Sequence, residues 1–213
     1  MDSKQHWGVL YFDIKQLSAL LSKNRPKYKK NTKFAELQIA FVFALFCEMV
    51  HKKKYLIGIP TLNNLIASSR PTPDQIFDRK FALDEDFDIV VAPKEEAKKK
   101  YHRLQIVRFT GDVKGSTEKL FRFLQEKKFN IPKDENLLLL VSLEKDLQLN
   151  YIQLGEKLNN ANVPYGQIFV FGEQKREDSK VILFCYYVFP KVKLFGTVDC
   201  SILFSIKSDK RRN

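Results

Sequence analysis

The sequence has few cysteines, and their spacing fits neither a disulfide framework nor a metal centre. Its 213 residues include three, Cys47, Cys185 and Cys200, an odd number with no short spacing between any two. A disulfide framework needs paired cysteines and a structural zinc site needs closely spaced Cys and His ligands, so neither is expected. Each cysteine lies in an apolar run, which is typical of a reduced core thiol and predicts a reducing compartment.

A signal peptide and a membrane-length apolar run are also missing. The N-terminus, MDSKQHWGVLYFD, has no basic start followed by an apolar stretch. The longest apolar segment, residues 37–50, is about a third shorter than a bilayer span requires, and it contains Gln38 and Glu48. We therefore expect a buried helix in a soluble, cytoplasmic protein that does not engage membranes.

Several catalytic fingerprints are lacking as well. The three histidines are scattered, no serine or cysteine nucleophile has a placed base, and no dinucleotide or haem fingerprint is present. The segment 109–119, FTGDVKGSTEK, has the wrong glycine spacing for a phosphate loop, and an ordinary capped helix start explains it. Its amides, with Lys114 and Lys119 nearby, could nevertheless hold a backbone phosphate of DNA.

What the sequence has in excess is positive charge. Lys and Arg number 37 against 25 Asp and Glu, which gives a formal net charge of +12. Such an excess indicates an anionic partner and does not determine the fold. Cations gather, interleaved with tyrosines, in the segments 23–33, 51–54, 94–103 (with Lys98, Lys99 and Lys100), 191–193 and 207–212. Five such runs favour a surface that follows phosphates, so nucleic acid, with DNA as the expected form, is the predicted partner.

Hydropathy patterns predict alternating helices and strands around a sheet. The predicted elements are a strand at 7–14, a helix at 15–22, a solvated basic connector at 23–33, helices at 34–53, 61–67 and 74–80, a strand hairpin at 86–92 and 101–109, a helix at 118–128, a strand at 137–143, a helix at 149–160, and strands at 166–173, 180–189 and 192–206. This order predicts a mixed α/β (α+β) layer fold. We expect one domain over 34–206, an N-terminal extension with connector at 1–33 and a basic tail at 207–213.

The predicted hairpin presents a carboxylate beside an amide. Asp88 alternates with apolar neighbours on one strand, while Arg103 and Gln105 share a face of the other. Asp88 and Gln105 can thus point the same way from adjacent strands, which suits a hard cation such as Mg²⁺. A metal there could activate a water for phosphodiester hydrolysis. The alternative interpretation is a surface hairpin with solvated polar residues; the acids at 84–86 fit either one.

These residues resemble the PD-(D/E)xK nuclease superfamily, which has the restriction-endonuclease-like fold. The resemblance covers residues 34–143 and rests on a helix, then a hairpin with Phe-Asp and a hydrophobic-Gln-hydrophobic-X-Arg strand, then a helix and a strand. It implies a central mixed sheet flanked by helices and Mg²⁺ or Mn²⁺ as cofactor. It also implies that Asp88 is the metal-binding aspartate, that Gln105 stands where Asp or Glu is usual, and that Glu36 from the first helix assists.

Val107 departs from the family pattern at the position of the catalytic lysine. A valine can neither orient the attacking water nor stabilise developing charge, so Arg103 or a nearby lysine would have to substitute. Glu36 also has the ordinary explanation of an acid favoured near a helix N-terminus. Two versions of a nucleic-acid-binding protein therefore stay open: a metal-dependent endonuclease, acting as a homodimer on duplexes, or an inactive binding or assembly module. A protein-interaction subunit using a sheet edge at 180–206 is a third.

Overall fold

The computed structural model describes residues 7–28, 30–62, 72–77, 88–97, 101–110, 116–143, 149–175 and 181–199. The chain divides into two compact units, Met1–Ile106 and Val107–Asn213. The first contains β1 (Trp7–Asp13), α1 (Ile14–Tyr28), α2 (Thr32–His51), β2 (Tyr55–Leu62), α3 (Pro73–Phe77), β3 (Ile89–Pro93) and most of β4 (His102–Phe109), which crosses the boundary. The second contains α4 (Ser116–Lys128), β5 (Asp134–Leu143), α5 (Tyr151–Asn159), β6 (Tyr165–Lys175), β7 (Val181–Phe189) and β8 (Lys193–Asp199).

The strands of the first unit form an antiparallel meander. Tyr11 of β1 lies opposite Gly58 of β2, and Gly58 lies opposite Val90 of β3. Ile89 of β3 in turn lies opposite Leu104 of β4, which confirms the predicted hairpin. Residues 7–13, expected to belong to an extension, are thus a strand of this sheet.

Strand β2 is a difference from the sequence prediction, which placed no strand between residues 55 and 62. Gly58 and Pro60 interrupt the apolar alternation there, since neither residue favours a strand interior. The sheet needs the glycine: a Cβ at Gly58 would come 2.2 Å from Cγ1 of Val9 and 2.4 Å from Cγ2 of Val90. Close approach of neighbouring side chains therefore accounts for this residue.

Helix α2 is the core helix of the first unit. The Asn31 side chain caps it by accepting a hydrogen bond from the Phe34 amide (3.0 Å). Among the described helices only α2 is long and apolar enough to cross a membrane, with 20 residues and a mean hydropathy of 1.5. Its residues Phe34, Leu37 and Phe46 are buried, and it packs against α1, β2 and β3, which confirms the expected buried helix.

The prediction of a solvated connector at 23–33 is wrong, because most of this segment is helical. Helix α1 continues past Pro26 to Tyr28, and α2 begins at Thr32. The cations before Tyr28 are exposed as expected, but Lys33 is only 5% exposed. Burial of Leu17 in the unit's core anchors the helix, and a proline in its last turns removes only one backbone hydrogen bond.

The second unit combines parallel and antiparallel strands. β5 and β6 run parallel, with Val141 opposite Val170, while β6, β7 and β8 pair antiparallel in succession. The central part of β5, residues 137–141, is buried throughout, as its continuous apolar run predicts. Helices α4 and α5 pack against each other, and α5 packs against β7. The mixed α/β class predicted from the sequence is therefore confirmed.

Some predicted segments lie wholly or partly outside the described residues. The helix expected at 74–80 is present as Pro73–Phe77, and the rest of that range is not described. Residues 61–62 of the helix expected at 61–67 belong to β2, and its remainder is not described. The last predicted strand is described only as far as Asp199. The basic tail at 207–213 also falls outside.

A candidate carboxylate site in the first unit

The predicted metal ligands lie near each other at the start of the hairpin. Asp88 immediately precedes β3, and Gln105 lies in β4. Because Ile89 is opposite Leu104, Asp88 and Gln105 occupy the next positions along the two neighbouring strands. Both are half-buried. We call Lys33, Glu36, Asp88 and Gln105 together the carboxylate site.

The carboxylate of Asp88 completes the strand pairing where β3 begins. Its Oδ2 accepts a hydrogen bond from the Ile106 amide at 2.7 Å. The Asp88 amide donates to the Leu104 carbonyl at 2.8 Å. A hydrogen bond to a charged acceptor is worth about 1.5–3 kcal/mol, so Asp88 has a structural role whether or not it binds a metal. Within the described residues Oδ1 has no protein hydrogen-bond partner.

A buried lysine joins Asp88 to the predicted glutamate. Lys33 lies in the first turn of α2, and its Nζ donates to the backbone carbonyl of Asp88 at 2.7 Å. The same Nζ lies 3.3 Å from Oε2 of Glu36, three residues further along the helix. The two side chains are 6% and 17% exposed, so the pair is largely withdrawn from water. The structure thus brings Lys33, Glu36 and Asp88 together.

Sequence reasoning missed Lys33 because it assigned this residue to the solvated connector. A lysine in the first turn of a helix is disfavoured by the helix dipole, so its position there needs a compensating acceptor. Glu36 and the Asp88 carbonyl are those acceptors. The i,i+3 spacing of Lys33 and Glu36 at the start of an apolar helix is a signal that could have found the pair.

The other predicted residues are spread over both units or lie outside the described ranges. Arg103 is half-buried in β4, opposite Val90, and two positions from Gln105. Val107 is 9% exposed. Lys119 is exposed on α4 of the second unit. Residues not described include the predicted phosphate contacts Lys98, Lys99, Lys100 and Lys114 and the acids at 84–86.

The carboxylate site offers few ligands for a divalent cation. Among the described residues no group of three or more His, Cys, Asp or Glu side chains could hold a metal ion. Mg²⁺ often uses only one or two carboxylates, together with water and substrate phosphates. Asp88 and Glu36 each supply a carboxylate, but the Lys33 ammonium, which contacts the Glu36 carboxylate and the Asp88 backbone carbonyl, neutralises Glu36 and would repel a nearby cation. The residues therefore fit a metal only where a substrate phosphate completes its coordination.

Comparison of the chain with protein-family models, with curated proteins and with solved structures gives no match. The functional assignment therefore depends on the chemistry of the residues described above.

Proposed function

We propose that this protein binds nucleic acid through backbone phosphates, on a core resembling that of the PD-(D/E)xK nucleases. The observation that carries the proposal is the charge of α1, which contains four cations and no acidic residue. Lys15, Lys23 and Arg25 are exposed, and within the described part of the chain none of them has an acidic partner. Only Lys27 of this helix forms an ion pair there, with Asp74.

The spacing of these cations suits a regular anionic polymer. At a rise of about 1.5 Å and a turn of about 100° per residue, Lys15 and Lys23 lie on the same side of α1 and are separated by roughly 12 Å along its axis, whereas Arg25 lies on the opposite side from Lys23. One nucleic-acid strand presents about four phosphates over that length. When surface lysines and arginines bind the phosphates of such a strand, they displace the counterions condensed on the nucleic acid. This release supplies most of the non-specific affinity.

The carboxylate site supports a non-hydrolytic version of this function. Asp88 uses one carboxylate oxygen to pair β3 with β4, and Glu36 is neutralised by a buried lysine. Val107 offers no charged group at the position of the family's lysine. In this version the site stabilises the sheet, and the basic surface binds the ligand.

One observation favours a second candidate, a metal-dependent endonuclease. The Lys33 ammonium lies beside the Glu36 carboxylate and the backbone carbonyl of Asp88, and it could serve as the lysine that β4 lacks. Asp88 and Gln105 would then hold Mg²⁺ or Mn²⁺, which would activate a water, with Glu36 assisting and Arg103 an alternative to Lys33. Cutting both strands of a duplex would require a homodimer. The cytoplasm remains the proposed location for either version.

The first experiment measures binding of labelled duplex DNA, single-stranded DNA and RNA at about 50 and about 200 mM salt. We expect the logarithm of affinity to fall linearly with the logarithm of salt concentration. Lys23→Gln should reduce that slope by about one. Lys53→Gln is the matched control, because Lys53 is already paired with Glu96 at 3.2 Å. Absence of binding even at low salt would overturn the proposal.

The second experiment separates the two versions. The same substrates are incubated with Mg²⁺ or Mn²⁺ and analysed for cleavage. Intact substrates that are nevertheless bound support the non-hydrolytic version. Cleavage that is lost in both Asp88→Asn and Lys33→Met, while the salt-dependent binding persists, supports the endonuclease.

A further inference from the structure

The second unit contains an open groove whose lining combines aromatic rings with side-chain amides. It has a volume of about 560 Å³ and lies between the C-terminal half of α4 and the end of α5. We call it the amide groove. The lining residues that matter here are Phe121, Gln125, Phe129, Lys157, Asn160 and Asn162.

Two half-buried rings line the amide groove. Phe121 lies under the Lys157 ammonium, which is 5.5 Å from the ring centroid. Phe129 follows the end of α4 and rests against Tyr165, with 6.5 Å between ring centroids. The Tyr165 hydroxyl donates to the carbonyl of Lys128, the last residue of α4, at 3.0 Å, and this hydrogen bond fixes Tyr165 next to Phe129. Both rings are therefore fixed and partly accessible.

Three exposed amides face solvent from the rim of the same groove. Gln125, Asn160 and Asn162 are exposed, and within the described residues their side chains have no hydrogen-bond partner. Gln125 lies within α4, and backbone hydrogen bonds hold the segment with the two asparagines at the end of α5. The backbone N–H of Asn160 donates to the Glu156 carbonyl at 3.1 Å, and the backbone N–H of Val163 donates to the Ala161 carbonyl at 3.0 Å. A fixed backbone lowers the entropy cost of using these side chains in binding.

The cations at the groove are already engaged with a carboxylate. Glu118 accepts from Lys157 at 2.7 Å and from Arg122 at 3.1 Å. These hydrogen bonds hold Lys157 over the Phe121 ring. The main property of the groove is therefore not net positive charge. It is the combination of aromatic rings with amide donors and acceptors.

We propose that the amide groove binds an unpaired nucleobase, so that the nucleic acid this protein prefers is single-stranded. The inference rests on the proposed nucleic-acid binding and specifies its substrate class. Unstacked bases stack on aromatic side chains and hydrogen-bond through their edges, which duplex bases cannot offer. Side-chain amides carry both donors and acceptors, as base edges do. An acidic peptide would need free cations, whereas Lys157 and Arg122 share Glu118.

The test compares a labelled oligothymidylate of about 15 nucleotides with a duplex of the same length, by fluorescence anisotropy. We expect wild-type protein to prefer the single strand. Removal of one stacking ring should weaken single-strand binding by roughly 5- to 150-fold. Phe121→Leu keeps an apolar side chain and removes the ring, and Phe129→Leu does the same on the other side. Duplex affinity should be unchanged in both.

The control and a surface variant keep the test interpretable. Tyr186→Leu removes a half-buried ring that stacks on Tyr151 outside the groove, at 4.0 Å between centroids, and should leave single-strand affinity unchanged. Gln125→Glu changes only an exposed side chain, so it should fold normally and still weaken single-strand binding. Equal wild-type affinity for the two ligands, together with wild-type behaviour of Phe121→Leu and Gln125→Glu, overturns this inference and leaves the proposed function standing. Absence of binding to either ligand overturns both.

Discussion

The carboxylate site and the amide groove use polar side chains in opposite ways. In the carboxylate site the Lys33 side chain is 6% exposed and contacts two acceptors of the protein itself. In the amide groove the Lys157 side chain is 32% exposed, and the exposed amides beside it have no partner among the described residues. The buried lysine of the first region is satisfied by the protein itself, whereas the exposed amides of the second region are available to a ligand.

This difference indicates where each region acts. A buried charge that loses its partner costs several kcal/mol because it cannot return to water. Substitution of an exposed amide side chain changes the free energy of unfolding very little, since water replaces the group that was removed. Substitutions in the carboxylate site should therefore change stability first, and substitutions in the amide groove should change binding first.

The largest expected effect is that of Lys33→Met. This change removes one ion-pair partner from the largely buried Glu36 carboxylate and removes the lysine donor from the Asp88 carbonyl. Breaking a buried pair typically costs about 3–5 kcal/mol. We expect the free energy of unfolding, measured by urea denaturation, to fall by about that amount.

Two further variants show whether the loss of unfolding free energy comes from the Glu36 carboxylate that Lys33 contacts. Lys33→Met combined with Glu36→Leu should recover much of the lost stability, because the carboxylate that faced the Lys33 ammonium is then absent as well. Lys15→Met removes an exposed lysine from α1 and should change stability by no more than about 0.5 kcal/mol. Equal losses for Lys33→Met and Lys15→Met would contradict the assignment of Lys33 as a buried structural cation.

A smaller effect is expected at Asp88. Asp88→Ala removes the acceptor of the Ile106 amide and should lower the free energy of unfolding by about 1.5–3 kcal/mol. Asp88→Asn keeps an acceptor oxygen of the same size, so it should retain more than half of that stability. Urea denaturation of both variants, without added metal, makes the comparison. A wild-type stability for Asp88→Ala would show that the hydrogen bond to β4 contributes nothing.

The sequence predicted elements that depend on local pattern and missed features that depend on distant contacts. The continuous apolar run of β5 and the mostly apolar α2 were predictable because burial on several sides leaves few polar positions. Strand β2 was not, since Gly58 and Pro60 are tolerated there only because neighbouring strands supply pairing and close contact.

The candidate sites follow the same rule. Asp88 and Gln105 were found from alternation along a predicted hairpin, which is local information. The burial of Lys33 depends on where the Asp88 carbonyl lies, 55 residues further along the chain. Nothing in the sequence indicated the amide groove, because Phe121 lies in α4, Asn162 follows α5, and neither belongs to a periodic motif.

In the amide groove we expect changes in affinity without changes in stability. Asn162→Ala and Gln125→Ala remove exposed amides that have no protein partner in the described chain. Each should alter the free energy of unfolding by no more than about 0.5 kcal/mol. Thermal or urea denaturation measured beside single-strand binding tests this. A large stability loss without an affinity change would reverse the contrast between the two regions.

The smallest effect concerns the pH dependence of Glu118, at the edge of the groove. Hydrogen bonds from Lys157 and then Arg122 hold the pKa of this carboxyl below its ordinary value of 4.5. Because the pKa is lower in the folded state, the ionised group stabilises the fold above its ordinary pKa, and this contribution disappears as the pH falls through the folded value. Melting temperatures of wild-type protein and Glu118→Gln should thus differ at neutral pH and converge in acid. A difference that persists at a pH below the folded pKa would mean that Glu118 acts through its shape and not through its charge.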